Sequence, residues 1–400
     1  MEPAPVTRFR KYLQIKTVQP TPDYAACTEF LIEQAKEIGL EYQIHECVKG
    51  KPIVILKSIG TDPTLKTIMF SSHTDVVPVF EDKWDYPPFA AERVKLENGN
   101  YNIYARGAQD MKVTGSAYLE ALRNLKSSGK HHKRTIIALF APDEEIYSIE
   151  GMDMFVNTEE FKDLNVGFDI DEGDPSFNDE TFFFTAERVT CPVAFTAYGN
   201  TGHGSQFIEG TAIEKIMPVI NEIIQFRTKQ HNIIKHYGPL ELIHQGEVTS
   251  ANLTMLSGGT QVNVVPASYT ATFDFRVTPN VNFLEFCQYL KDLAAKNDVK
   301  IEFLSKTTGN PVTEYSESDP FMASLQRTLK KHNKKPRHII MSAATDARFV
   351  RRAGIPAVGI NPMLNHKQLA HDHNEYVDES EFLKSITFYE DLMIELANTD

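Results

Sequence analysis

No Cys-x-x-Cys pair occurs among the 400 residues, and the four cysteines, Cys27, Cys47, Cys191 and Cys287, are scattered. That excludes a cysteine-built zinc site and a disulfide framework, and it suits a reducing compartment. No apolar stretch is long enough to span a bilayer, and the start, Met1 to Lys11, lacks the apolar core of a secretion signal. The chain therefore reads as cytoplasmic. Excess positive charge is also missing. A formal net charge of −13 argues against nucleic acid or an anionic membrane as partner. There is no internal repeat and no low-complexity tract.

What is present is ordinary for a folded globular chain: 42% of residues are apolar and 24% charged. Four hundred residues exceed what one hydrophobic core usually serves, so two domains are expected. Apolar residues at Cys27, Phe30, Leu31, Ala35 and Ile38 predict a helix over 24–38, with Gly39 placed to end it. Strand-type runs follow at 53–56 and 67–70, and helical spacing returns over 112–125. Residues 135–141 form a near-continuous apolar run, the signature of a strand buried on both faces. Alternation of such strands with helices predicts an α/β layer fold. Near residue 188 the pattern changes. Segments 190–198 and 268–277 alternate like half-exposed antiparallel strands, and helical patterns occupy 213–226 and 283–295. After Asn310 the α/β character resumes, with short strands at 338–341 and 357–360. The order predicts a discontinuous domain, 1–188 with 309–400, carrying an inserted α+β domain at 189–308.

Acidic and imidazole side chains follow the apolar runs. They are His73 and Asp75 in Ser72-His73-Thr74-Asp75, Asp110 in Arg106-Gly107-Ala108-Gln109-Asp110-Met111, Glu144 and Glu145 after Asp143, and Asp171 in Asp171-Glu172-Gly173. His371 follows in His371-Asp372-His373. A lone His or Asp in such a place is usually a loop charge. Several at strand ends in an α/β fold, where ligands bind beyond the carboxyl edge of the sheet, point to a site. Imidazole with carboxylate suits divalent metals, and more donors than one ion needs suggest two ions with a base beside them. Asp75, two residues beyond His73, faces the same way on an extended strand and can orient its ring. Adjacent Glu144 and Glu145 cannot share an orientation, so one can bind metal while the other stays free as a base. Asp110 is a candidate carboxylate bridging both ions.

These motifs occur in one order with Gly202-His203-Gly204, Asn263-Val264-Val265-Pro266, Thr345-Asp346-Ala347-Arg348 and His371-Asp372-His373-Asn374-Glu375. In that order the chain resembles the zinc exopeptidase and deacylase family over essentially its whole length. The resemblance implies a mixed-sheet dizinc exopeptidase-like catalytic domain whose inserted segment is a lid that mediates dimerisation. It implies two zinc ions per subunit, one held by His73, Asp110 and Asp171 and one by Asp110, Glu145 and His371, with Glu144 as base and acid. It further implies that His203 reaches the partner subunit's site to stabilise an oxyanion, and that Asn263, Arg276 and Arg348 bind the substrate's carboxylate. The implied reaction is hydrolysis of N-acyl-L-amino acids, with dipeptidase or carboxypeptidase activity as the rival within the family. A non-catalytic homologue binding an acylated ligand is a further rival, against which the intact Glu144 argues. Two departures stand out. Relatives carry glycines after the Glu-Glu pair, where this chain has Tyr147 and Ser148, and Thr201 replaces a proline common before the Gly-His.

Overall fold

Strands buried on both faces organise the larger part of the chain. The computed structural model describes residues 2–399, and the chain divides into one unit of 1–185, 313–338 and 345–400 and a second of 186–312 with 339–344. The boundaries fall a few residues from those expected. The short segment 339–344 is a correction: it belongs to the second unit.

In the first unit, strand Thr67–His73 lies between Ile136–Ala141 and Val166–Asp171, parallel to both, and Ala357–Ile360 runs parallel to Val166–Asp171. The full eight-stranded sheet is mixed, in the order Glu41–Glu46, Pro52–Ser58, Ile136–Ala141, Thr67–His73, Val166–Asp171, Ala357–Ile360, Glu180–Glu187, Lys335–Met341. Strand alternation splits the core into two layers. Ile136, Ala138 and Phe140 pack on one face with helices Ala4–Gln14, Tyr24–Ile38, Lys112–Ser128 and Glu379–Ala397. Ile137, Leu139 and Ala141 pack on the other face with Met152, Phe155 and Phe349. The parallel strands bring their carboxyl ends to one edge. Tyr24–Ile38 forms where its spacing predicts, with the Asp23 carboxylate accepting from Ala26 N–H at its start and Gly39 closing it at φ 80°.

The second unit has a four-stranded antiparallel sheet in the order Ser250–Gly258, Ser268–Val277, Val189–Tyr198, Val299–Phe303. Phe273, Phe275, Val193 and Phe195 face helices Ala212–Ile234 and Phe283–Lys296, burying Ile216, Val219, Ile220, Phe286 and Leu290. A short pairing of Gly202–His203 with Val264–Val265 joins two loops.

Candidate metal centre

His73 ends its strand and is buried. Its Nδ1 lies 3.0 Å from the Asp75 backbone carbonyl. That contact makes Nδ1 the protonated nitrogen and leaves the Nε2 lone pair for a cation. The expected orienting bond to the Asp75 carboxylate is corrected here: that oxygen is 3.6 Å away. The carboxylate instead accepts the backbone N–H groups of Glu144 and Glu145, at 3.1 and 3.2 Å.

Around His73 Nε2 stand Asp110 Oδ1 at 2.9 Å and Glu172 Oε2 at 3.6 Å. The other Asp110 oxygen is 3.1 Å from His371 Nε2, which is in turn 2.9 Å from Glu145 Oε2. Asp110 thus offers one oxygen to each imidazole, the arrangement of a bridging carboxylate. Donor atoms of His73, Asp110 and Glu145 lie within 4.8 Å of one another, as do those of His73, Glu144 and Glu172.

One expected ligand is turned elsewhere. Asp171 is the last residue of its strand, and its Oδ2 accepts the Ala347 N–H at 2.7 Å. Glu172, first beyond the strand, supplies the carboxylate beside His73. The motif was visible in the sequence, but a one-residue choice at a strand end depends on where the pleat stops.

Asp110 itself is aimed by a residue that periodicity does not reveal. The buried Glu375 carboxylate accepts from Arg106 Nη1 at 2.7 Å and from the N–H groups of Gly107, Gln109 and Asp110 at 3.1, 2.6 and 3.2 Å. Gln109 Nε2 donates to the carbonyls of Lys367 and Tyr376, at 2.9 and 2.8 Å. The loop bearing Asp110 and the loop bearing His371 are thereby stitched together.

Electrostatics fit a doubly charged guest. Burial raises Glu144 and Glu172 well above the usual carboxylate range, and burial with the Asp110 charge lifts Glu145 to about 7. Hydrogen bonds to Asp110 and Glu145 lift His371 to about 10. Glu145 Oε1 is buried with no hydrogen-bond partner, an orphan that a cation would satisfy. Acids crowded against two imidazoles, one acid with an unpartnered buried oxygen, match the donor set of a divalent pair.

Arg348 Nη1 is 3.7 Å from Glu144 Oε1, and Nη2 donates to the Tyr147 carbonyl at 3.3 Å. Tyr147 and Ser148 take φ of 79° and 53°, values a glycine adopts without cost but other residues rarely do. The remaining expected residues belong to the second unit. His203 is exposed with Nδ1 2.7 Å from Ser205 Oγ, Asn263 accepts from Gln261, and Arg276 pairs with Asp274 at 3.1 Å and donates to Thr190.

The profile of peptidase family M20/M25/M40 matches residues 69–395. Aminoacylase-1 of Sus scrofa is 44% identical over 98% of this chain and 95% of its own. Aminoacylase-1 of Dictyostelium discoideum is 41% identical over 99% and 98%. Among solved structures, an M20 family metallo-carboxypeptidase from Sulfolobus solfataricus superposes with a TM-score of 0.77 at 20% identity, covering 99% of this chain and 100% of that one. With a profile matched over most of its length and two aminoacylases aligned nearly end to end, the chain belongs to peptidase family M20/M25/M40.

Proposed function

We propose that the chain is a zinc-dependent amidohydrolase that converts N-acyl-L-amino acids to a carboxylate and a free L-amino acid. The observation that carries this reading is a carboxylate, Glu144, beside His73, Glu172 and the buried Arg348 in a cluster of imidazole and carboxylate donors. The names of its aminoacylase relatives give the substrate class. His73, Asp110 and Glu172 would hold one ion and Asp110, Glu145 and His371 the other. Such a pair supplies Lewis acidity, polarising the amide carbonyl and acidifying water.

Glu144 removes a proton from the attacking water. A carboxyl raised by burial has the affinity to keep that proton until the amine leaves, and then returns it to the nitrogen. Arg348, whose planar fork pairs with both oxygens of a carboxylate, orients the amino-acid end of the substrate. In this reading Asn263 and Arg276 assist it, and His203 donates to the developing oxyanion in the partner subunit of a homodimer. Four free cysteines suit the cytoplasm.

A panel of N-acetyl-L-amino acids and unblocked dipeptides, offered to zinc-loaded protein, tests the reading. Higher kcat/KM on the acetylated compounds is expected. A preference for dipeptides would move the chain to the peptidases of its family.

A further inference from the structure

The turn that carries Glu144 and Glu145 cannot hold its shape unaided. Asp143, Tyr147 and Ser148 all take positive φ, 67°, 79° and 53°, although none is glycine, and the helical piece between them, Glu144–Ile146, is three residues long. Such a backbone persists only where its surroundings over-determine it. Two buried side chains from the N-terminal segment do so.

Tyr24 begins helix Tyr24–Ile38. Its hydroxyl donates to Asp143 Oδ1 at 2.7 Å and accepts the Asp143 N–H at 2.9 Å, clasping that residue by side chain and backbone together. Gln19 Nε2 donates to Asp75 Oδ2 at 2.7 Å and reaches Asp143 Oδ1 at 3.3 Å. The Gln19 backbone is itself fixed, since its N–H donates to the Val76 carbonyl at 3.0 Å. Lys51 Nζ bonds the second Asp143 oxygen. Asp75, held on one side by Gln19, accepts the N–H groups of Glu144 and Glu145 on the other, and its backbone carbonyl faces the His73 ring. All four residues, Gln19, Tyr24, Asp75 and Asp143, are buried.

We infer that Gln19 and Tyr24 are positioning residues of the catalytic turn: they bind Asp143 and Asp75 into one block, which sets the base and its neighbouring ligand relative to His73. Neither touches the reacting atoms. The inference rests on the reading of Glu144 as the base. A misplacement of roughly 1 Å in such a group lowers turnover about 100-fold, so the hydroxyl of Tyr24 matters to catalysis from outside the site.

Tyr24→Phe keeps the ring and deletes the clasp, and Gln19→Met keeps the volume and deletes the bridge. For each variant, kcat and KM on an N-acetyl-L-amino acid, bound zinc, and hydrogen exchange of the peptide spanning 141–149 are to be measured. Expected are a kcat lower by about 10- to 100-fold, a KM within about threefold and unchanged zinc. Exchange of the turn should speed up at least tenfold while the strand Ile136–Ala141 stays protected. The double variant should lose less than the product of the two single losses, because both act through one turn. Unchanged turn exchange in both variants, or accelerated exchange with kcat within twofold of the parent, overturns the inference. If Tyr24→Phe does not fold, Gln19→Met decides alone. A parent protein that cleaves no N-acyl amino acid defeats the proposed function instead, and the exchange measurement still decides whether the block exists.

Discussion

Glu144 and Glu145 are adjacent, chemically identical and asked to do different things. Glu145 contacts His371 at 2.9 Å and holds the orphaned buried oxygen, whereas Glu144 contacts Arg348 and no imidazole at hydrogen-bond distance. Glu144→Gln preserves shape and removes only the ability to take a proton. Its kcat should fall about 10²- to 10⁴-fold, the range general base catalysis supplies, with metal analysis still giving the parent's zinc content. Loss of zinc along with activity would mean that the two glutamates had been assigned the wrong way round.

At the scale of strands and helices, most of the architecture could be read before the structure. Helix Tyr24–Ile38, strand Ala357–Ile360 and strand Ser268–Val277 lie where periodicity places them, because each has a buried face and a stop signal of its own. Helix Ala212–Ile234 runs past Phe226, where its expected pattern ended, because its later turns carry mostly polar groups that leave no apolar period. Strand Ser250–Gly258 escaped notice because nearly all its side chains are exposed. In the site, the strand-end motifs announced the donor cluster, while Gln19, Tyr24 and Glu375 act through loop hydrogen bonds that have no sequence period. The Asp171–Glu172 pair shows the same limit and gives a test. Glu172→Gln should weaken zinc binding about 10- to 100-fold or more with little change in metal-free stability, by comparison with what lost supporting groups already cost. Asp171→Ala should instead lower metal-free stability by about 1–3 kcal/mol, since the buried Ala347 N–H loses its acceptor. Zinc titration and denaturant unfolding separate the two, and the opposite pattern would restore Asp171 as the ligand.

For the whole molecule, the expected trans-acting histidine has a consequence that ordinary mutants lack. His203 stands in the second unit and every candidate metal ligand in the first. If His203 serves a partner subunit, inactive His203→Ala and inactive Glu144→Ala chains should rescue each other. Each mixed dimer has one site with both changes and one with neither, so random exchange should restore up to about a quarter of parental activity per chain, given two-fold symmetry. Verified exchange with no recovered activity would place His203 in its own subunit's chemistry or outside the chemistry altogether.

The stitching of the Asp110 loop to the His371 loop by Glu375 and Gln109 also has a meaning in time. The bonds from Gly107 and Gln109 to Glu375 span 268 and 266 residues. A chain emerging from the ribosome has made His73, Asp110, Glu144, Glu145 and Glu172 long before the residues that aim Asp110 and complete the second ion's donors. At about 5–20 residues per second, the interval from Glu172 to His371 is roughly 10 to 40 s of synthesis. On the proposed function, the nascent protein then carries Glu144 beside an incomplete donor cluster, and no amide cleavage is expected of it. On that reading, activity should begin only near the end of translation, when His371 completes the second donor set.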